Sequence, residues 1–157
     1  MKNRQAGVSL IEVLVALLIM CIGLLGAAAI QLNALKFTDS SATSSQASFV
    51  AYDMMDRIRA NSSNVAQYAV ANLAAVPTVT SPTTAIAQDR SDFGTNVRAI
   101  GGTDASIVFN GFLVTITITW DDTRAGRATS LNGSKATDKD SRTFVLASRV
   151  AADAVVQ

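Results

Sequence analysis

Three patterns of apolar and polar positions divide this chain. The first is an apolar run from Gly7 to Ile30, broken only by Ser9 and Glu12. It is long enough to cross a hydrocarbon core of ~30 Å, which takes about 20 helical residues. The second is a stripe. Ala47, Val50, Ala51, Met54, Met55 and Ile58 recur at three- and four-residue spacings, with Asp53, Asp56, Arg57 and Arg59 on the polar side. That period predicts an amphipathic helix, and Asp53 with Arg57 forms a favourable i,i+4 pair. Gln31 to Phe37 joins the two patterns without a proline. The weak helix formers Ser40, Ser41, Thr43, Ser44 and Ser45 lie between them. One helix from about Ser9 to about Ala60 is therefore predicted, stopped by Asn61-Ser62-Ser63-Asn64.

The third pattern is alternation. Val114, Ile116, Ile118 and Trp120 alternate with Thr115, Thr117 and Thr119, which predicts a strand over 112–120 with one buried face. Ser106 to Phe109 is a shorter strand candidate, and Asn110-Gly111 is a tight hairpin turn. Arg142 to Val150 gives a third strand after a polar loop that opens at Asp121-Asp122. Ahead of the strands, Ala-rich Ala66 to Val76 predicts a short helix. Val76 to Thr84, with two prolines and several threonines, predicts an extended loop. Residues 87–100 predict another helix with Phe93, Val97 and Ile100 on one side, ended by Gly101-Gly102. The fold class is α+β: a long N-terminal helix packed against a small antiparallel sheet of three or four strands. Ala47, Val50, Met54 and Ile58 face the sheet.

Composition narrows the chemistry. A chain of 157 residues holds one domain plus a long helix, and its 49% hydrophobic content is inflated by the N-terminal run. The formal net charge is +1, and losing Lys2 and Arg4 with the first seven residues would bring it to −1. Neither value suits a nucleic-acid surface, so no nucleic-acid partner is expected. Histidine is absent, which removes the commonest general base and metal ligand. Cys21 is the only cysteine, so no intrachain disulfide or thiolate metal site can form, and it reads as a small packing residue. Asp121, Asp122, Asp138 and Asp140 match no calcium-loop spacing and read as solvated turns. Trp120 reads as a core aromatic at the end of a buried face. Arg57 and Arg59 read as a solvated helix flank or as contacts to headgroups or a neighbouring subunit. No constellation for nucleophilic or phosphate chemistry is present, so neither an enzyme nor a cofactor is expected.

Glu12 is the informative residue. A secretory signal peptide would have a shorter apolar core, and a plain signal anchor would leave the acid unexplained. An acidic group at a helix centre costs about 2.5–3.5 kcal/mol on insertion scales, and less near an end. A third reading explains it: the leader is cut between Gly7 and Val8, and Glu12 then lies one helical turn from a new amine. A carboxylate in an apolar helix seeks an opposite charge.

Gly7-Val8-Ser9-Leu10-Ile11-Glu12-Val13-Leu14 resembles the class III signal of type IV pilins and pseudopilins. In that pattern a Gly ends the leader, an apolar residue starts the mature chain, and Glu is the fifth mature residue. Val8 stands where the family usually has Phe. The resemblance implies cleavage of residues 1–7 by prepilin peptidase, a membrane aspartyl peptidase, and N-methylation of Val8. It implies that residues 8–35 form the transmembrane and filament-core half of the helix. Residues 36–157 would be a periplasmic head: amphipathic helix to about 60, loop and short helix over 61–103, sheet over 104–157. Glu12 would then pair with a neighbour's amine and set the axial register of subunits. Gly23 and Gly26, which cost about 1 kcal/mol each against Ala, would either permit local melting or allow close helix packing.

Ala51-Tyr52-Asp53-Met54-Met55-Asp56-Arg57-Ile58-Arg59-Ala60-Asn61, together with Val114-Thr115-Ile116-Thr117-Ile118-Thr119-Trp120-Asp121, looks like the minor pilin PilV family. That likeness implies a minor subunit of a type IV pilus in a tip or initiation complex. Its partners would be other minor pilins, the major pilin, the pilus assembly platform, inner-membrane lipid before assembly, and a tip adhesin. The chain would sit in the bacterial inner membrane with its N-terminus cytoplasmic, then in a pilus on the cell surface. A minor pseudopilin of a type II secretion system shares the whole N-terminal argument. An out-of-class alternative is a bitopic membrane protein that binds a ligand, keeps its leader and never polymerises.

Overall fold

The computed structural model describes residues 9–76, 78, 79, 81, 84–123 and 141–150. One helix, α1 (Leu10–Ala60, 51 residues), runs through both the apolar run and the amphipathic stripe. It is continuous at Gly23 and Gly26, where an added Cβ would meet nothing within 4 Å. Its faces change character along its length. Residues 10–35 are exposed all round, while Ala47, Ala51, Met54, Met55 and Ile58 are each at most 1% exposed.

The segment after α1 departs from the helix expected over Ala66 to Val76. It forms two short 3₁₀ pieces, Ser62–Tyr68 and Leu73–Ala75. The backbone between them is committed elsewhere. Val70 and Ile107 exchange N–H···O bonds of 3.1 and 2.8 Å, so the chain is held as an extra bridge on the sheet edge. The Leu73 N–H donates to Asp104 Oδ1 at 3.0 Å. Alanine's preference for helix loses to these long-range bonds, which a continuous helix would forfeit.

The second helix, α2 (Ala85–Ala99), starts earlier than its apolar spacing suggests because Thr84 caps it, the hydroxyl accepting from the Ala87 N–H. Its inner face carries Phe93 and Val97, with Ile100 just past its end packed against the core. Gly101, at φ +78°, ends it in a left-handed conformation that suits glycine. The Arg98 guanidinium returns to the loop, donating to the Leu73 and Val76 carbonyls at 3.0 and 3.1 Å.

The sheet is a three-stranded antiparallel meander of β1 (Gly102–Asn110), β2 (Leu113–Asp121) and β3 (Ser141–Arg149). The β1–β2 turn lies one residue later than the Asn110-Gly111 reading. Asn110 pairs with Leu113, so Gly111 and Phe112 are the two loop residues. Gly111 has φ +58°, and a two-residue hairpin with glycine first needs that positive value. The inward positions of β2 are those the alternation named: Val114, Ile116, Ile118 and Trp120 are at most 3% exposed. They pack with the inner stripe of α1, with Tyr68 and Val70, and with Phe93 and Val97 of α2 in one core.

Candidate functional site

The stem begins with a capped end. Ser9 takes an extended conformation and its hydroxyl accepts from the Glu12 N–H at 3.3 Å. Glu12 therefore sits in the first turn of α1, where the helix dipole favours a carboxylate. The Ser-x-x-Glu spacing of a capping box was visible in the sequence and locates this end. From Leu10 to Leu35, Glu12 is the only charged side chain. Gly7 and Val8 lie outside the described residues.

Around that carboxylate the stem exposes aliphatic side chains on every side. Leu10 is 79% exposed, Leu25 71% and Ile30 73%. Twenty-six residues of helix span about 39 Å at ~1.5 Å each, more than the ~30 Å of a hydrocarbon core. An apolar surface this large and contiguous requires a partner, either lipid or other protein. The stem touches no core of its own, which separates it from the buried helix of a soluble domain. Cys21 is exposed there with the rest.

The head is tied to α1 by two polar clusters, and both bring together residues far apart in sequence. In the first, Arg57 does more than pair with Asp53 (2.9 Å). It also donates to Asp89 Oδ1 at 2.8 Å and to Asp92 Oδ2 at 3.2 Å, pinning α2 against α1. Asp89 Oδ2 accepts from the Tyr68 hydroxyl at 2.8 Å, and that hydroxyl accepts from Asn61 Nδ2 at 3.2 Å. The hydrogen bond donated to Asp89, followed by the charges of Asp53 and Asp89, outweighs burial and raises the Arg57 pKa. Burial raises the Tyr68 phenol above its ordinary range, opposed by the Asn61 bond and reinforced by Asp89. Arg57, expected as a solvated flank or as a contact to headgroups or a neighbouring subunit, is a half-buried cross-link within the head. Arg59 does stay on the surface, bonded to Asp56 and to Ser148 of β3.

The second cluster sits lower, where the stem meets the head. Ser40 of α1 donates to Asp122 Oδ2 at 2.9 Å, and Arg142 of β3 pairs with the same oxygen. Asp122 is thus consumed by an ion pair and a hydroxyl. Asp121 accepts from the Thr123 N–H at 2.8 Å, while Asp138 and Asp140 lie outside the described residues. Among the described residues no group of three acidic, Cys or His side chains is placed to hold a metal. Trp120 belongs to the core, 3% exposed. Neither cluster was readable from sequence beyond Asp53–Arg57, because pairs such as Arg57–Asp89 and Ser40–Asp122 lie 32 and 82 residues apart.

An exposed apolar stem, long enough to cross a membrane and carrying one acid in its first turn, is continuous with a helix-and-sheet head. Comparison with protein families gives this arrangement its name. Residues 2–28 match the prokaryotic N-terminal methylation motif, and residues 29–93 match the model of the type IV pilin Tt1218. The two matches run without a gap, and the chain belongs to the type IV pilin family. It therefore carries a class III signal processed by prepilin peptidase, and its apolar helix anchors it in the inner membrane before pilus assembly. Proteins of this family are structural subunits and not enzymes. No curated protein and no solved structure gives a significant match.

Proposed function

We propose that the chain is a minor subunit of a type IV pilus, of the PilV kind, acting in a tip or initiation complex that primes assembly and presents an adhesin. The observation that carries this reading is the stem: a continuous, fully exposed apolar helix whose one charge, Glu12, sits in its first capped turn. Cleavage after Gly7 leaves an amine at Val8, which is then methylated. Glu12 meets the amine of an adjoining subunit as the stem passes from lipid into the filament. Pairing offsets the desolvation of both charges and fixes axial register, an attested use of a buried polar group. Stem-to-stem burial supplies the remaining stabilisation, and the head engages other minor pilins, the major pilin and the assembly platform. The matching model over residues 29–93 is that of a type IV pilin, which favours the pilus over a type II secretion pseudopilus.

The test is Glu12→Ala in cells that make pili. The variant should still be cut, remain in the membrane and keep its head fold, yet fall at least tenfold in the sheared pilus fraction. That loss corresponds to about 1.4 kcal/mol in the incorporation equilibrium. Unchanged incorporation refutes the register role. Mass spectrometry that finds Met1 as the intact terminus refutes the polymer reading as a whole.

A further inference from the structure

The junction between stem and head has an unusual hydrogen-bond pattern. Over four turns of α1, hydroxyls donate back to backbone carbonyls of the same helix. Thr38 bonds the Ala34 carbonyl, Ser41 that of Phe37, Thr43 that of Asp39 and Ser45 that of Ser41, at 2.9–3.2 Å. Ser48 bonds the Ser45 carbonyl at 2.7 Å. Such back-bonding competes with the i→i−4 ladder, softens a helix and lets it bend. Ser40 behaves differently: its hydroxyl leaves the helix for Asp122, 82 residues away.

Packing marks the same place. The continuous inner stripe of α1 begins at Ala47, and between residues 10 and 46 only Ser40 is buried. Beside it lies a cavity of about 240 Å³, lined by Lys36, Ser40 and Thr43 on the helix and by Ile100, Trp120 and Asp122 opposite. Close-packed interiors resist displacement, whereas this space gives the helix room to tilt toward the sheet. We propose that residues 34–48 are a hinge between stem and head, and that the Ser40–Asp122–Arg142 cluster is the clasp that sets its resting angle. The proposal is independent of the pilus reading, since it concerns the free chain.

Substitutions in one stretch should therefore act in opposite directions. Replacing Thr38, Ser41, Thr43 and Ser45 together by Ala removes the hydroxyls that compete for those carbonyls and stiffens the hinge. Ser40→Ala removes the clasp and loosens it, although Ala is the better helix former at every one of these positions. A general gain in helix propensity would stiffen both.

The experiment uses the full chain in detergent micelles, with one spin label on the native Cys21 and another on exposed Thr95→Cys. The quadruple variant should narrow the label–label distance distribution and slow amide exchange over 34–48 on the order of tenfold, the combined effect of four such propensity gains. Ser40→Ala should broaden the distribution and speed exchange there. Narrowing by Ser40→Ala, or no change with the quadruple variant, overturns the proposal. So does narrowing produced by Gly23→Ala with Gly26→Ala, which would place the flexible point in the stem.

Discussion

Asp89→Asn tests whether the Arg57 cluster joins the head into one unit. Asp89 is 17% exposed at its side chain and receives two hydrogen bonds of 2.8 Å, from Arg57 and from Tyr68. The amide keeps one oxygen, so one of these bonds survives as a neutral contact. Its NH₂ then faces either the Arg57 guanidinium, which cannot accept it, or the phenol, which must turn its own O–H away to accept it. A hydrogen bond to a charged group contributes about 1.5–3 kcal/mol, and leaving a partner unsatisfied costs ~1–3. Arg57 is one-third exposed and retains Asp53 and Asp92, which argues for the lower part of that range. The expected loss is about 2 kcal/mol, or roughly 6–10 °C in the melting of a head this size. Trp120 is the only tryptophan and is 3% exposed, so its fluorescence reports the head while the stem stays in a micelle. Tyr68→Phe should cost about 1 kcal/mol alone, and the pair should couple by about 0.5–1 kcal/mol. A shift under about 2 °C for Asp89→Asn, or strict additivity with Tyr68→Phe, would refute the reasoning.

Two further outcomes follow from the same core. The Tyr68 phenol has a raised pKa, so its stabilisation is full below the ordinary phenol value of about 10 and is lost as pH climbs toward the folded value. Melting curves taken from pH 8 upward should fall more steeply above about pH 10 in the native chain than in Tyr68→Phe; parallel curves would disprove it. Glycines should divide by place: Gly102→Ala drives a methyl into Val97, including its carbonyl oxygen at 2.7 Å, and should destabilise the head by about 1–3 kcal/mol. Gly23→Ala meets open space and should leave the head's melting unchanged.

The legible parts of this fold are those governed by local period. The 51-residue helix follows from an apolar run joined to a three–four stripe, and β2 follows from Thr alternating with Val and Ile. What escaped depends on distant partners. Ala66 to Val76 looks helical until Ile107 and Asp104 claim its backbone. Arg57 looks solvated until Asp89 and Asp92 arrive from α2. Ser40 looks like a weak helix former, and only the folded chain shows Asp122 across from it. The hairpin slipped by one residue because an Asn-Gly pair can enter a tight turn as its middle or at its edge, and the pairing of Asn110 with Leu113 decided it.

The order of the strands bears on how such a head comes to exist. Each strand of the meander pairs only with the one made before or after it, and the long helix that closes the core is made first. A polypeptide that folds from its N-terminus can therefore settle piece by piece against what has already been made. Pairing between chain neighbours keeps the strand-to-strand separations shorter than crossovers would, so each new strand meets a template that is already made.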